Sequence, residues 1–387
     1  MEFDLTWILL GLPAAFALGW IASRLDLRQM RIANRQAPRA YFKGLNYLLN
    51  EQQDQAIDAF IEAVQNDPDT SELHFALGNL FRRRGEYDRA VRVHEHLLSR
   101  ADIGLADRQR AQHGLALDYL KAGLLDRAEE ALRKLEATPY EGQARLARMA
   151  IYERSREWTE ATAVARLLES SGEANFSVRM AHYECERALE AVQKGAAEQA
   201  REWLIQTLQS HPDAARPRIL LGQLYASQGQ SALAYETLAV LFERNDITAP
   251  LAADSLVQAA RACDRTTEAS RLLQTHYQRQ PCIDVLDAIT ALNSEPPSAS
   301  TEAAASQRYL DHLQTHPSLI AASRWLTGHQ PGQTVLPAPV QKALEQATKP
   351  LARYRCAACG FEAKAHFWHC PGCQAWDSYP PRRVEEL

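Results

Sequence analysis

The chain has 387 residues, 24% of them charged, and a formal net charge of −5 at pH 7. A chain of this length can form two or three domains with a substantial core. The acidic balance provides no general basic field, so no nucleic-acid partner is expected. Four of the seven cysteines form two close pairs near the C-terminus, which favours metal binding in a reducing compartment over a disulfide framework. We expect Cys185, Cys263 and Cys282, which are single, to be apolar residues in helix interfaces.

Residues 1–23 are predicted to form a single transmembrane anchor. No charged residue occurs from Leu5 to Ala22, and this run is close to the shortest helix that crosses a hydrocarbon core. Trp7 and Trp20 lie near its two ends, where indole rings favour the membrane interface. A basic juxtamembrane segment, residues 24–39, follows directly. Its charged residues are Arg24, Asp26, Arg28, Arg31, Arg35 and Arg39.

The arginines behind the apolar run predict the topology. The positive-inside rule places the N-terminus outside the cell membrane and the rest of the chain in the cytoplasm. A cleaved signal peptide is disfavoured, because its positive charge would precede the apolar run. We also expect the arginines to attract anionic membrane lipid, at about 1 kcal/mol each.

Residues 40–282 contain an internal repeat of about 34 residues. Small residues recur where two antiparallel helices would approach each other closely. They are Gly44, Gly78, Gly222, Ala56, Ala90, Ala128, Ala161, Ala200 and Ala234. The pattern resembles the tetratricopeptide repeat, with about seven copies, and a single pair of helices cannot bury its apolar face alone. The sequence therefore predicts an all-α fold, a superhelical solenoid of tetratricopeptide repeats with a concave groove.

Arrays of this kind usually hold a peptide or a partner protein in the groove, and a role as a simple spacer also stays open. The first helix of each pair normally lines the groove. The candidate partner-binding residues are His74, Asn79, Arg82, Arg83, Gln112, Asp118 and Lys121. Any one of these side chains could instead be an ordinary solvated polar group.

Residues 283–349 are predicted to be atypical capping helices and a proline-rich linker. Helical patterns cover residues 281–292, 301–315, 318–328 and 340–347. Residues 329–339 contain several prolines and are expected to form the linker rather than a helix. This linker is long enough to let the C-terminal domain fold back onto the array.

Residues 350–387 contain two Cys-x-x-Cys pairs and are predicted to form a rubredoxin-like metal-binding domain. The predicted ligands of one iron or zinc ion are Cys356, Cys359, Cys370 and Cys373. Four thiolates complete a tetrahedral site, so His366 and His369 are expected to be bystanders. Gly360 and Gly372 are expected to provide the positive φ of the two turns. Because so short a segment cannot build a core, the metal would supply much of its folding free energy.

Domains with such a cysteine pattern also have two other roles. A membrane-tethered rubredoxin-like electron carrier stays open as the alternative function, although little protein surrounds the site to tune a potential. A zinc ribbon that binds nucleic acid is disfavoured, because the segment from Arg353 onward has five basic and four acidic residues and so almost no net positive charge. The chain shows no Walker loop, G-x-S-x-G or H-E-x-x-H motif, so an enzyme is not expected.

The order of anchor, repeats and metal-binding tail resembles the lipopolysaccharide assembly protein B family of Gram-negative bacteria. The tail reads Tyr354-Arg-Cys-Ala-Ala-Cys-Gly-Phe361 and then Trp368-His-Cys-Pro-Gly-Cys373-Gln-Ala-Trp376. Because tetratricopeptide repeats occur in many proteins, the combination with this tail carries the resemblance, which extends over essentially the whole chain.

This resemblance implies an inner-membrane adaptor that restrains lipopolysaccharide synthesis, with a periplasmic N-terminus. Such an adaptor would help a membrane-anchored AAA+ zinc protease degrade the deacetylase that commits precursor to lipid A. Further implied partners are an inner-membrane lipopolysaccharide-sensing regulator, which counters the adaptor, and other lipopolysaccharide assembly proteins gathered at the membrane. The resemblance also implies that the four paired cysteines hold the iron or zinc ion.

Overall fold

The structure is a computed structural model. It describes Phe16, Trp20 and residues 42–67, 69–172, 174–293, 299–328 and 336–387. The predicted anchor, apart from Phe16 and Trp20, and the whole basic segment lie outside these residues. Within the described ranges, no helix combines the length and the apolar character needed to cross a membrane. The chain divides into two compact units, Met1–Glu173 and Ala174–Leu387.

The first unit consists, in its described residues, of four consecutive helix pairs. These are α1 (residues 42–49) with α2 (Gln53–Asn66), α3 (Ser71–Arg84) with α4 (Tyr87–Ser99), α5 (Leu105–Ala122) with α6 (Leu125–Arg133), and α7 (Glu141–Ser155) with α8 (Trp158–Ser170). A residue with positive φ follows the first helix of each pair and ends it with a left-handed cap. These caps are Glu51, Gly85, Gly123 and Arg156.

The small residues of the repeat lie where the two helices of a pair meet. Ala56, Ala90, Ala128 and Ala161 are all fully buried. A Cβ atom added to Gly78 of α3 would lie 2.7 Å from the ring of His94 on α4, so no larger residue fits there without a shift. The sequence period therefore marks the close helix contacts, as predicted.

The second unit continues the pattern and then departs from it. Its helices are α9 (Ser177–Gln193) with α10 (Ala197–Ser210), α11 (Ala215–Ser227) with α12 (Ser231–Glu243), α13 (Ala253–Ala262) with α14 (Thr266–Arg279), and then α15 (Ile283–Leu292), α16 (Ala299–Thr315), α17 (Leu319–Thr327) and α18 (Ala338–Leu351). A short 3₁₀ turn, Ala249–Ala252, precedes α13. The described part of the chain is thus a mostly helical, tetratricopeptide-like array.

The core of the second unit contains two of the single cysteines. Cys185 and Cys282 are buried, and burial raises the pKa of each thiol to about 12, so both stay protonated at neutral pH. Cys263 is half-buried. The expectation of apolar cysteines in helix interfaces is confirmed for the two buried residues.

The end of the linker differs from the prediction. Helix α18 begins at Ala338, so Pro339 lies in its first turn, where a missing N–H group costs nothing. The helix also continues past the predicted residue 347 to Leu351, with Pro350 in its last turn. The predicted linker, residues 329–339, is therefore two residues too long, because Ala338 and Pro339 belong to the helix.

The C-terminal region, residues 354–387, folds differently from the helices before it and is called the ribbon below. Strands β1 (Tyr354–Arg355) and β2 (Glu362–Ala363) pair antiparallel around the first cysteine pair. An isolated bridge between His369 and Trp376 encloses the second pair in the same way. Each Cys-x-x-Cys turn is therefore held at the end of a small hairpin.

Candidate metal centre

The four paired cysteines come together in the ribbon. All four Sγ atoms lie within 4.8 Å of one another. Sγ of Cys356 lies 3.8 Å from that of Cys373, and Sγ of Cys359 lies 3.7 Å from that of Cys370. Four sulfurs at the usual Zn–S distance around a tetrahedral ion would be about 3.8 Å apart. The donor set and its spacing therefore fit a tetrahedral metal ion.

In both turns, the residue directly after the second cysteine has a positive φ, but the residue type differs. Gly360, directly after Cys359, has φ +77°, as the sequence predicted. In the second turn the positive φ falls on Gln374, directly after Cys373, and Gly372 lies outside the left-handed region, which corrects the prediction. A Cβ atom on Gly372 would lie 3.4 Å from the Phe361 side chain, which is an ordinary contact distance, so the first turn packs directly against this residue.

The backbone around the sulfurs favours thiolates at two positions. Burial alone would raise the pKa of Cys356, but hydrogen bonding to the Ser378 hydroxyl and to backbone amides lowers it to about 6. Backbone amides of the second turn likewise outweigh burial and lower the pKa of Cys370. The pKa of Cys359 is raised to about 12, because burial and the adjacent sulfurs outweigh the amide of Phe361. A bound cation would reverse the effect of the adjacent sulfurs and favour four thiolates.

The two nearby histidines make contacts within the ribbon. His366 Nε2 lies 3.0 Å from the Tyr379 carbonyl oxygen, and His369 Nε2 lies 3.0 Å from that of Gln374. The His369 ring also stacks on Trp376 at 4.3 Å between centroids. Neither histidine belongs to the metal-binding group of the described residues, which consists of the four cysteines.

An aromatic and charged contact fixes the ribbon to α9, and Arg216 of α11 supports the α9 side of this contact. The buried His182 ring stacks on Trp376 at 5.0 Å, and its Nε2 atom is 2.9 Å from both carboxylate oxygens of Asp377. Arg216 of α11 points its Nη1 atom at His182 Nδ1, 3.5 Å away, and its Nη2 donates to Glu186 at 2.6 Å. This arrangement places the proton of a neutral His182 on Nε2.

A second contact fixes the ribbon to α15 through Arg383. Its Nη2 donates to Asp284 at 2.7 Å, and its Nε lies 3.0 Å and 3.1 Å from the two oxygens of the same carboxylate. Its Nη1 donates to the Ala352 carbonyl at 2.8 Å, and its guanidinium lies 4.2 Å from the Tyr354 ring centroid. A planar guanidinium is suited to this combined pairing and stacking.

The last residues of the chain cap two helices. Glu386 accepts a hydrogen bond of 2.6 Å from the backbone N–H of Ile283, the first residue of α15. Glu385 accepts from the Ser318 hydroxyl at 2.7 Å and from the backbone N–H of Leu319, at the start of α17. Carboxylates at helix N-termini satisfy free N–H groups and complement the helix dipole. The ribbon is thus fastened to α9, α15 and α17 of the second unit.

Two cavities lie between the ribbon and these helices. One, of about 480 Å³, is bordered by α11, α13, α15 and α17 and by the ribbon residues Lys364 and Trp368. The other, of about 470 Å³, lies at the N-terminal ends of α9 and α11, beside Trp368 and Asp377. Arg216 borders both.

The predicted partner-binding residues lie in the first unit, and most of them are engaged within the fold. Asp118 is fully buried and accepts from Arg82 Nη1 at 2.7 Å and pairs with His94 at 2.5 Å. Arg82 also donates to Asn79. His74 is buried and contacts the Thr70 carbonyl, and Gln112 donates to the Ala131 carbonyl at 2.9 Å. Arg83 and Lys121 are exposed.

The residues that dock the ribbon carry little signal in the sequence. Trp368 and Trp376 stood out as aromatics beside the cysteines, but their partner His182 is almost 200 residues away in the chain. Arg383 and Asp284 carried no motif. Only the proline-rich linker indicated that the tail could reach the array at all.

Known proteins resemble both parts of this architecture. A family described as rubredoxin metal binding domain matches residues 354–380, and the tetratricopeptide repeat family matches residues 43–102. The chain is 31% identical over 385 residues to Lipopolysaccharide assembly protein B of Escherichia coli (strain K12), covering 97% of this chain and 98% of that one. It is 26% identical to the protein of the same name from Haemophilus influenzae, with 98% of each chain covered.

A helical repeat array that carries a docked four-cysteine ribbon defines a tetratricopeptide-repeat protein with a rubredoxin-type metal-binding domain. The near-complete match to full-length relatives identifies the family more closely. The chain belongs to the lipopolysaccharide assembly protein B family.

Proposed function

We propose that this protein is a non-enzymatic adaptor at the inner membrane that regulates lipopolysaccharide synthesis. It promotes degradation of the lipid A-committing deacetylase by the membrane-anchored AAA+ zinc protease. Family membership supports a role in lipopolysaccharide assembly, because relatives that match the full chain carry that name. Promotion of deacetylase degradation is the more specific step of this proposal.

The observation that carries the proposal is the attachment of the ribbon to the repeat helices. Arg383 with Asp284, His182 with Asp377, and the two terminal glutamates join the ribbon to helices that begin as far away as residue 177. The ribbon and the helices together border two cavities of about 480 and 470 Å³. This arrangement suits the presentation of a fixed surface to another protein.

We propose that Cys356, Cys359, Cys370 and Cys373 hold one iron or zinc ion. The ion would join the two Cys-x-x-Cys turns and supply folding free energy to the ribbon. Four thiolates suit either metal. The chain's own contribution is the pair of hairpins that places the sulfurs at tetrahedral spacing.

The remaining partners and the location also belong to the proposal. Residues 1–23 anchor the chain in the inner membrane with a periplasmic N-terminus, and residues 24–39 contact anionic lipid. A lipopolysaccharide-sensing regulator counters the adaptor, and other lipopolysaccharide assembly proteins gather on it. In the first unit, the exposed Arg83 and Lys121 are the predicted groove residues with side chains most accessible to a partner.

The half-life of the deacetylase tests this function. We expect depletion of the protein to lengthen that half-life after translation is stopped, and the wild-type chain to restore it. Cys370→Ser should fail to restore it, because Cys370 is a buried predicted ligand. Cys263→Ser, at a half-buried position outside the ribbon, is the matched control and should restore it. A half-life that depletion leaves unchanged contradicts the proposal.

One observation favours the electron carrier as a second candidate. Cys356 and Cys370 are buried, but Cys359 and Cys373 are exposed, so one edge of the centre faces solvent. Such an edge would allow electron transfer to a partner. This candidate requires iron and a reversible one-electron couple in the purified full chain. A zinc-loaded protein that restores deacetylase turnover would exclude it.

A further inference from the structure

We propose that the cavity of about 480 Å³ between the ribbon and α11, α13, α15 and α17 binds an extended segment of a partner polypeptide. The segment carries one acidic and one basic side chain. This inference rests on the proposed adaptor function and specifies the chemistry of the partner. It differs from general binding in a repeat groove, because one wall of the cavity is the ribbon.

The size of the cavity suits a short segment. Its volume lies within the range of about 300–1,000 Å³ that is typical of ligand-binding clefts. Ile219 and Leu220 of α11 and Trp368 of the ribbon give the cavity an apolar part. Charged side chains from four helices and the ribbon make up much of the remaining lining, so an extended peptide with a few polar side chains matches it better than an apolar helix.

Lys364 of the ribbon offers a cationic group to an acidic side chain, and Arg216 of α11, whose guanidinium is already paired with Glu186, adds only an N–H group. Arg216 is only 6% exposed, and its Nε atom is buried without a hydrogen-bond partner among the described residues. A buried N–H group without an acceptor is unfavourable, so a ligand that supplies an acceptor is favoured. Lys364 is exposed on the ribbon wall and forms no ion pair within the described part of the chain.

Helices α13 and α15 contribute three carboxylates to the lining. Asp254 of α13 is exposed and forms no ion pair within the described ranges. Asp287 of α15 accepts from the Tyr309 hydroxyl at 2.6 Å and from Arg324 at 3.3 Å. Asp284 is already paired with Arg383. The charged groups left for a ligand are therefore the amine of Lys364, the Arg216 Nε–H and the carboxylate of Asp254.

This set of charges decides between possible ligands. A lone anion would satisfy Lys364 but would leave Asp254 without a partner and close to added negative charge. A lone cation would pair with Asp254 but would leave Lys364 without a partner. A peptide with one acidic and one basic side chain can pair with both Lys364 and Asp254. Complementary charges favour association and fix the direction in which the peptide binds.

The test measures peptide binding to the detergent-solubilised full chain by fluorescence anisotropy. The probes are labelled, end-capped octapeptides of alanine and glycine with one glutamate and one lysine at each possible spacing. Matched peptides carry glutamine at either position. We expect at least one glutamate–lysine peptide to bind, and Lys364→Glu or Asp254→Lys to weaken it about fivefold to tenfold. Lys342→Glu, on the exposed face of α18 outside the cavity, is the control and should not change binding.

Two results would overturn the inference. One is the absence of any peptide whose affinity depends on Lys364 and Asp254. The other is competition by inorganic phosphate that removes binding equally for peptides with and without the lysine, which would indicate a simple anion site. The deacetylase half-life separates this inference from the adaptor function. If depletion still lengthens that half-life while no charge-dependent peptide is found, the function stands and the cavity assignment falls.

Discussion

Asp118 shows how one predicted groove residue is used inside the fold. Its carboxylate is fully buried between Arg82 of α3 and His94 of α4, and so joins three helices of the first unit. His94 in turn fills the space left by Gly78 and Gly114. A buried acidic residue with two such partners stabilises the repeats, and this role was not visible from sequence position alone.

We expect Asp118→Ala to lower the stability of the first unit by about 3 kcal/mol or more, because it leaves His94 and most of Arg82 buried without their partner. Chemical denaturation monitored by circular dichroism measures the change. Lys121→Ala, one turn later on an exposed position of the same helix, should leave stability almost unchanged. Equal effects of the two substitutions would contradict the structural role of Asp118.

His276 makes the second unit sensitive to acid. Its ring is 1% exposed, packs edge-on against Phe242, and has no hydrogen-bond partner for either nitrogen among the described residues. Burial lowers the pKa of His276 below its usual value, and the charges of Asp246 and Arg279 act in opposite directions. The folded unit therefore favours the neutral ring.

We expect His276→Leu to reduce the loss of stability on acidification. The unfolded chain gains a proton on His276 as the pH falls through about 6.5, and the folded chain resists it, so this stabilisation is present at higher pH and is lost on acidification. The measurement is the free energy of unfolding at pH 7.5 and pH 5.5. His211→Leu, at a half-buried position, controls for histidine content. An identical pH dependence in wild type and His276→Leu would refute the assignment.

At the scale of elements, Arg383 is the strongest single attachment of the ribbon to α15. Its pKa is raised because the carboxylate of Asp284 outweighs burial, which acts in the opposite direction. Both partners are mostly buried, with 23% and 17% of their side chains exposed. Removing one partner leaves the other charge buried and unpaired.

We therefore expect Arg383→Ala to destabilise the docked ribbon by about 3 kcal/mol and to increase exposure of Trp368 and Trp376 to solvent. Tryptophan fluorescence and limited proteolysis of residues 354–387 measure the change. Arg355→Ala is the matched control, because Arg355 pairs with Glu362 on the ribbon surface and should cost at most about 1 kcal/mol. A ribbon that stays docked in Arg383→Ala would contradict the importance of this contact.

The sequence predicted the elements that are determined by residues close together in the chain. The spacing of small residues indicated the helix pairs, and the two Cys-x-x-Cys turns indicated the metal centre. The attachment of the ribbon depends on residues far apart in the chain, from 67 positions for Glu385 with Ser318 to 195 for Asp377 with His182. Such pairs leave no periodic or motif signal in one sequence. The second left-handed turn residue, Gln374, differs from the prediction, because the positive φ was expected at Gly372.

At the scale of the whole chain, the two units have different roles in this account. The first is a plain series of helix pairs held by buried contacts such as that of Asp118. The second carries the ribbon, whose fold depends on four cysteines and whose attachment reaches α9, α11, α15 and α17. The central claim is that the metal holds the ribbon in shape and the ribbon then fixes the neighbouring helices.

Hydrogen exchange of the full chain, measured by mass spectrometry before and after metal removal with a chelator, tests this claim most directly. We predict faster exchange in residues 354–380, in the first turns of α15 and α17, and in the parts of α9 and α11 around His182 and Arg216. Exchange in α3 to α5 should not change, and Cys370→Ser should reproduce the pattern without chelator. Faster exchange confined to the ribbon, with α9, α11, α15 and α17 unaffected, would contradict the claim.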